Sequence, residues 1–199
     1  MSDMGDKSVQ KRQYILETAR DIFAQKGFKN VTMKDIVDAC DISRGGLYLY
    51  FASTQEIFWE VLQLETEDSD EVFAKGITRD STSGDILALF LREQKKELLK
   101  KKDHLNVAVY EYFFEYKFPK KDHVIRKQFD VAVKVIEKLI ADGVQSGEFV
   151  CEDPIGAARN IMYVLEGLKI SSQTMGITED MVNKEILYIM KRLLPPDAE

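Results

Sequence analysis

The segment DISRGGLYLYFASTQEIF, residues 41–58, places two adjacent glycines, four aromatic residues and an apolar alternation within eighteen residues. A hairpin, a phosphate-cradling loop and a turn leading into a short helix each fit part of it. The hairpin fails because no second alternating segment lies across a two-residue turn from LYLYF (47–51). The loop fails because the glycines are adjacent rather than spaced and no Lys-Ser or Lys-Thr pair follows them.

A helix-turn-helix remains. Thr32 stands before MKDIVDAC (33–40) with Asp35 three residues on, the spacing of a capping box, and Ile36, Val37 and Ala39 or Cys40 recur on one side. Asp41 falls where the chain must turn, and Asp enters the left-handed region more readily than most residues besides Gly and Asn. Ser43 then offers a hydroxyl to cap a second helix over 44–51. Gly45 and Gly46 weaken that helix by roughly 1 kcal/mol each relative to alanine, but they let its backbone lie close to phosphates and base edges. Arg44 supplies charge for a phosphate or a guanine, and Tyr48 a hydroxyl for a phosphate. Leu47 and Phe51 return toward Ile15, Phe23 and Ile36 as anchors. The exposed face of the second helix is the one able to enter a major groove.

Working outward, Ile15, Ala19, Ile22 and Phe23 share one face of a helix over 8–26, which Gly27 stops. Downstream, Ser53 and Glu56 form a second capping box, opening a helix to about residue 75 whose face includes Ile57, Val61, Leu62, Leu64 and Phe73. Beyond the TRDSTSGD linker, apolar residues recur at three and four positions, giving helices over 83–101, 103–117, 121–147, 154–174 and 178–194. Pro154 suits a first helical position, Thr178 a cap, and Pro195-Pro196 an end. The chain reads as all-α with about nine helices: a DNA-binding domain of residues 1–53, its motif at about 32–51, and a larger domain over 54–199. The Lys-rich stretch KKELLKKK reads as a solvated helix face.

Charge bounds the partner. The 199 residues carry a formal charge of −6, yet residues 1–53 hold eight Lys/Arg against seven Asp/Glu, so the acid excess lies entirely downstream. A nucleic-acid surface belongs at the N-terminal end or nowhere. Cys40 and Cys151, far apart and in apolar contexts, suggest neither a disulfide framework nor a metal site. No apolar run approaches the roughly 18 residues of a membrane span, and the polar start MSDMGDKSVQ lacks a signal peptide's apolar segment. A cytoplasmic protein is expected, with no membrane partner and no cofactor. His104 and His123 stand without a carboxylate at helical spacing and are expected to be surface or core groups. Two histidines and two cysteines assemble no catalytic constellation, so no enzyme is expected.

The run from Ile15 and Ala19 through Phe23, Gly27-Phe28, Thr32, Ile36, Ala39, Ile42-Ser43, Gly45, Leu47-Tyr48, Tyr50-Phe51, Ser53 and Glu56 resembles the TetR family of one-component bacterial transcriptional repressors. The likeness covers about 50 contiguous residues, and the rest of the chain resembles the family only in length, helical character and the features GEF, DP and LEGL. The resemblance implies a homodimer whose two recognition helices, about 34 Å apart, read a palindromic double-stranded operator. It implies a larger domain that holds a small-molecule inducer and dimerises through the final two helices, with the inducer shifting the helix that begins at Thr54. Thr32, Lys34, Ser43, Arg44, Gly45, Gly46, Tyr48, Leu49, Tyr50 and Thr54 are the expected DNA contacts, with Leu49 placed for a thymine methyl. This chain departs from the family where lysines are frequent, at Ala52 and Thr54, and has Asp41 where glycine is usual, which together imply modest non-specific affinity.

The aromatic stretch 107–118, with residues elsewhere, supplies candidates for a pocket that takes a small hydrophobic effector: Phe58, Trp59, Leu62, Tyr110, Phe113, Phe114, Phe129, Met162, Tyr163 and Glu166, for each of which a core role is the favoured alternative. Ala158, Ile161, Leu165 and Leu168 form one stripe and Ile186, Ile189, Met190 and Leu193 another, expected at a dimer interface, with an internal core face as the alternative. A helical interaction protein that has lost DNA binding and acts through a protein partner is the competing reading.

Overall fold

The structure, a computed structural model, describes residues 3–75, 77, 78, 80–100, 105–117 and 123–196, with side chains for all of these but 3–6 and 66–75. The described residues form nine helices and no strand: α1 (Asp3–Lys26), α2 (Met33–Cys40), α3 (Arg44–Tyr48), α4 (Thr54–Lys75), α5 (Ser83–Leu99), α6 (Leu105–Glu115), α7 (Val124–Ser146), α8 (Pro154–Thr174) and α9 (Glu179–Lys191). The expected helix ends at 101, 103–104 and 121–122, together with His104 and the Phe73 side chain, lie outside what is described.

Several boundaries differ from the sequence reading, α5 ending at Leu99, α6 at Glu115 and α7 at Ser146, and three others differ for identifiable local reasons. α1 begins at Asp3 rather than residue 8, since a polar stretch without proline prolongs an existing helix at little cost. α3 ends at Tyr48 rather than residue 51: the Tyr50 and Phe51 N–H groups both turn back to the Leu47 carbonyl (2.9 and 3.1 Å) as Phe51 drops into the interior. α9 ends at Lys191 rather than residue 194, because Leu193 is buried and its carbonyl accepts from the Val150 N–H at 2.7 Å.

Packing divides the chain into two compact units, Met1–Glu71 with Lys101–Lys117, and Val72–Lys100 with Phe118–Glu199. The first therefore includes α6 and much of α4 besides the helix-turn-helix. Its core joins Ile15, Ala19 and Phe23 of α1, Ile36 of α2, Leu47 of α3, Phe51 between α3 and α4, Ile57 and Phe58 at the start of α4, and Tyr112 of α6. Phe23 meets Phe58 edge-on at 4.7 Å between centroids, while Phe28 and Phe58 lie 4.9 and 5.1 Å from Tyr112. Gly27, at φ 76°, ends α1, and a Cβ there would stand 2.6 Å from the Glu111 carboxylate that accepts the Lys29 N–H at 3.0 Å. The glycine thus serves both the left-handed turn and the approach of α6. Glu111 is thus an anchor between α6 and the loop after α1.

In the second unit, Leu87 and Leu91 of α5, Val133, Ile136 and Ile140 of α7, Ala158, Ile161, Met162 and Leu165 of α8, and Ile189 of α9 with Leu193 make one core. Phe149, in the α7–α8 turn, closes it by lying across Gly143, where a Cβ would come within 2.2 Å of the ring. The same turn caps α5: the Glu148 carboxylate accepts from the Gly84 N–H and the Ser146 hydroxyl, each at 2.9 Å. The bond from Gly84, aided by Thr82 and Ser146, holds this carboxyl below the usual range.

Two measurements follow from this unit. Gly143→Ala, which drives a methyl into a ring that has nowhere to go, lowers stability by about 1–3 kcal/mol in chemical denaturation; an unchanged midpoint contradicts the packing. Because the folded pKa of Glu148 is depressed, its contribution is complete above its ordinary value of 4.5 and is lost as pH falls through the lower folded value. The difference in thermal midpoint between wild type and Glu148→Gln accordingly shrinks on titrating from about pH 6 to about pH 3.

Candidate nucleic-acid interface

Each cap of the helix-turn-helix is made by a side chain the sequence singled out. Thr32 and Asp35 exchange both capping-box bonds, the Thr32 N–H donating at 2.8 Å and the Asp35 N–H donating to the Thr32 hydroxyl at 3.2 Å. Lys26 adds a 2.7 Å ion pair to Asp35, whose carboxyl is held far below the usual range first by that bond and then by Thr32. The Thr32 hydroxyl is therefore engaged inside the motif. Asp41 takes the left-handed conformation, φ 51° and ψ 47°, and no other described non-glycine residue has positive φ. Ser43 accepts the Gly46 N–H at 3.0 Å, which leaves its hydroxyl hydrogen to donate outward.

With α3 so held, its outer side is bare. Leu47 is fully buried, whereas Tyr48 is 51% and Leu49 83% exposed, and Arg44 and Gly45 are exposed beside them. A Cβ built on Gly45 meets nothing within 4 Å, so the absence of a side chain there serves no packing inside the unit. Tyr50 is half-buried, with its hydroxyl 3.5 Å from that of Ser8. At α4's start Glu56 donates its N–H to Ser53 at 3.2 Å as expected, but its carboxylate reaches one residue further back than a capping box does, to the Ala52 N–H at 2.7 Å. Thr54 beside it is half-buried, and one amide that could have met a phosphate already has a carboxylate.

Basic side chains around the motif differ in whether they are engaged. Arg12 pairs with Glu60 and lies 4.8 Å over the Phe51 ring; Arg20 pairs with Glu65 at 2.7 Å, Lys26 with Asp35, and Lys29 with Glu115 at 3.4 Å. Arg44, Lys34 and Lys11 are exposed and form no ion pair among the described residues. Two of these are expected DNA contacts. Lys11 and Ser8 went unnoticed, because nothing in a polar α1 start announces which flank it turns toward the motif.

The other candidates scatter. Phe58, Trp59, Leu62, Tyr110, Phe113 and Phe114 belong to the first unit and Phe129, Met162, Tyr163 and Glu166 to the second. Phe58, Leu62 and Met162 are buried in their units' cores, Phe114 is exposed, and Glu166 is paired with Lys169 at 2.8 Å. A cleft of about 550 Å³ opens at the start of α8 and the end of α9, with Glu152, Asp153, Asn160 and Arg192 at its wall, and none of the ten lines it. Of the expected interface, Ala158, Ile161, Leu165, Ile189 and Leu193 are packed inside the second unit, and Leu168, Ile186 and Met190 are half-buried. The exposed apolar side chains of α8 and α9 are instead Tyr163, Ile170, Met181, Leu187 and Tyr188. Each of the two helices carries apolar residues on both its inner and its outer face, and packing puts the expected stripes largely inside. His123 caps α7, its Nδ1 accepting the Arg126 N–H at 3.5 Å. Cys40 is buried and its thiol pKa raised by that burial against a hydrogen bond from Thr18, the opposite of a reactive thiol.

Comparison with known proteins bears on these features. The family model for bacterial regulatory proteins of the tetR family matches residues 15–61, and that for the tetracyclin repressor-like C-terminal domain matches residues 86–183. The uncharacterized HTH-type transcriptional regulator YfiR of Bacillus subtilis strain 168 is 32% identical over 142 residues, 71% of this chain and 69% of its own. The HTH-type transcriptional repressor AcnR of Corynebacterium efficiens is 38% identical over 65 residues, 33% of each chain. In fold, a TetR transcription regulator from Haloarcula marismortui superposes with a TM-score of 0.82 over 94% of this chain and 100% of its own, at 17% identity.

The open surroundings of Gly45 separate stability from recognition. Gly45→Ala raises stability by up to about 1 kcal/mol through helix propensity, while Thr32→Ala lowers it by about 1 kcal/mol through loss of the cap. Urea denaturation reads both, and a destabilising Gly45→Ala contradicts the open geometry.

Proposed function

The chain belongs to the TetR family of bacterial regulatory proteins and is a helix-turn-helix transcriptional regulator; from that premise we propose that it represses transcription as a homodimer on a palindromic operator and is released by a small hydrophobic ligand. The observation that carries this reading is the outer side of α3. Arg44, Gly45, Tyr48 and Leu49 are exposed on a helix whose inner side chain, Leu47, is wholly buried. A helix fixed from behind and unoccupied in front is what insertion into a major groove requires.

Within it, Arg44 contacts a guanine edge or a phosphate, Leu49 a thymine methyl, and the close approach is made at Gly45 and Gly46. Tyr48, Tyr50, the Ser43 hydroxyl, Lys34 and Thr54 bind phosphates, and Thr32 acts indirectly by setting α2. For dimerisation the better candidate is now the exposed face of α8, where Tyr163, Gly167, Ile170 and Thr174 recur at four, three and four residues, with Leu187 and Tyr188 on α9. Release requires a ligand that binds better to a state in which the two copies of α3 no longer fit successive grooves. In support, α4 is tied to α1 by Arg12–Glu60 and Arg20–Glu65, so α4 does not shift alone.

The test is selection of bound fragments from the source genome, followed by anisotropy titration. A palindromic site with strong salt dependence is expected, Arg44→Ala weakening it tenfold or more and relaxing its sequence preference, and Tyr48→Phe weakening it several-fold. Sedimentation of both variants should match wild type, whereas Ile170→Glu yields monomer. Failure to recover any salt-sensitive specific site would sink the reading.

A further inference from the structure

The start of α1, residues 7–11, precedes the segment 15–61 matched by the family model. Its orientation is fixed from three sides. Ser8 Oγ lies 3.5 Å from the Tyr50 hydroxyl, just past the C-terminus of α3. Arg12 and Arg20 turn toward α4, where Glu60 and Glu65 engage them. Thr18, whose hydroxyl donates to the Tyr14 carbonyl at 2.8 Å, lies on the other side, near the Cys40 thiol at the end of α2. Lys11 is seven residues before Thr18 and so lies on the same face of α1. The exposed Lys11 ammonium therefore stands on the flank of α1 that faces the helix-turn-helix, about one turn from the residue that touches Tyr50.

The electrostatics of the motif make that position consequential. Lys26 and Lys29 are held by Asp35 and Glu115, the Ala52 amide by Glu56, and the Thr32 hydroxyl by Asp35. Of the groups left for the phosphates only Lys34 and Arg44 in the helix-turn-helix are cations, and among the described residues Lys11 makes no ion pair. We propose that the first turns of α1 extend the DNA contact beyond the helix-turn-helix, with Lys11 neutralising a backbone phosphate next to the base pairs read by α3 and Ser8 orienting the Tyr50 hydroxyl toward the same strand. By accepting from Ser8, the Tyr50 oxygen keeps its own hydrogen to donate to a phosphate. Lys11 contributes affinity without sequence information.

This rests on the DNA-binding reading above, and the experiment separates the two. Operator binding by Lys11→Gln, Lys11→Arg and Arg44→Ala is measured against salt, with phosphate-ethylation interference on the same fragment. For Lys11→Gln the expectation is a loss of affinity on every sequence alike, a log–log salt slope shallower by about 1 per half-site, and one interfering phosphate lost per half-site. Lys11→Arg restores the slope, and Arg44→Ala changes sequence preference instead. If Lys11→Gln keeps wild-type affinity, slope and footprint while Arg44→Ala weakens binding, the α1 contact is overturned and the regulator reading stands. If neither substitution alters binding, or no specific fragment is bound, both are overturned.

Discussion

Leu47 and Phe51 hold α3 to the first unit, and recognition depends on that attachment because α3 has no means of persisting alone. A helix of five residues is far below the length at which isolated helices are stable in water, and its two glycines remove roughly 2 kcal/mol more. Burying a leucine and a phenylalanine contributes about 1.5–3 kcal/mol each, an upper estimate because unfolded chains already bury some of this surface. The Ser43 cap adds about 1 kcal/mol. Burial exceeds the glycine penalty, so the outer side of α3 is free to be shaped for a partner rather than for stability. That is why Gly45 can stand in open space and Leu49 almost wholly in solvent.

The second constraint is the disposition of carboxylates. A count over residues 1–53 gives a balance of +1 and spreads it evenly. In the fold, Glu60, Glu65 and Glu115 come from outside that segment to neutralise Arg12, Arg20 and Lys29, and Asp35 takes Lys26. These exposed or half-exposed pairs are individually worth little. Their effect is to engage four of the eight cations, while Arg44, Lys34 and Lys11 are exposed and form no ion pair among the described residues.

What was legible in the sequence is what is local. Thr32 with Asp35, Asp41, Ser43, Gly27, Pro154 and Thr178 are caps and turns whose geometry is decided within four residues, and each stands where its spacing predicted. The inward residues of the helix-turn-helix were legible too, because one short motif leaves few ways to bury Ile36, Leu47 and Phe51. α8 was not, since Ala158, Ile161 and Leu165 occupy the inner face while Tyr163 and Ile170 recur at helical spacing on the outer one, and periodicity is blind to which face meets α7. The aromatic stretch of α6 was ambiguous for the same reason. Tyr112 and Phe114 are two residues apart, one fully buried and the other exposed.

Where Tyr112 is buried determines how α6 can carry a signal. Its ring is packed among Phe28, Phe58 and Tyr116, its hydroxyl is hydrogen-bonded to Gln55 in the first turn of α4, and Glu111 beside it accepts from Lys29 after α1. α6 is thus attached both to the loop before α2 and to the helix that follows α3. Lifting it away would expose several aromatic side chains at about 1.5–3 kcal/mol each and leave a buried tyrosine hydroxyl without its partner. Coupling between sites in proteins is typically only about 1–3 kcal/mol, which is too small to separate such a cluster. Any displacement of α6 therefore carries α1, α3 and the start of α4 with it, and leaves the shape of α3 unchanged.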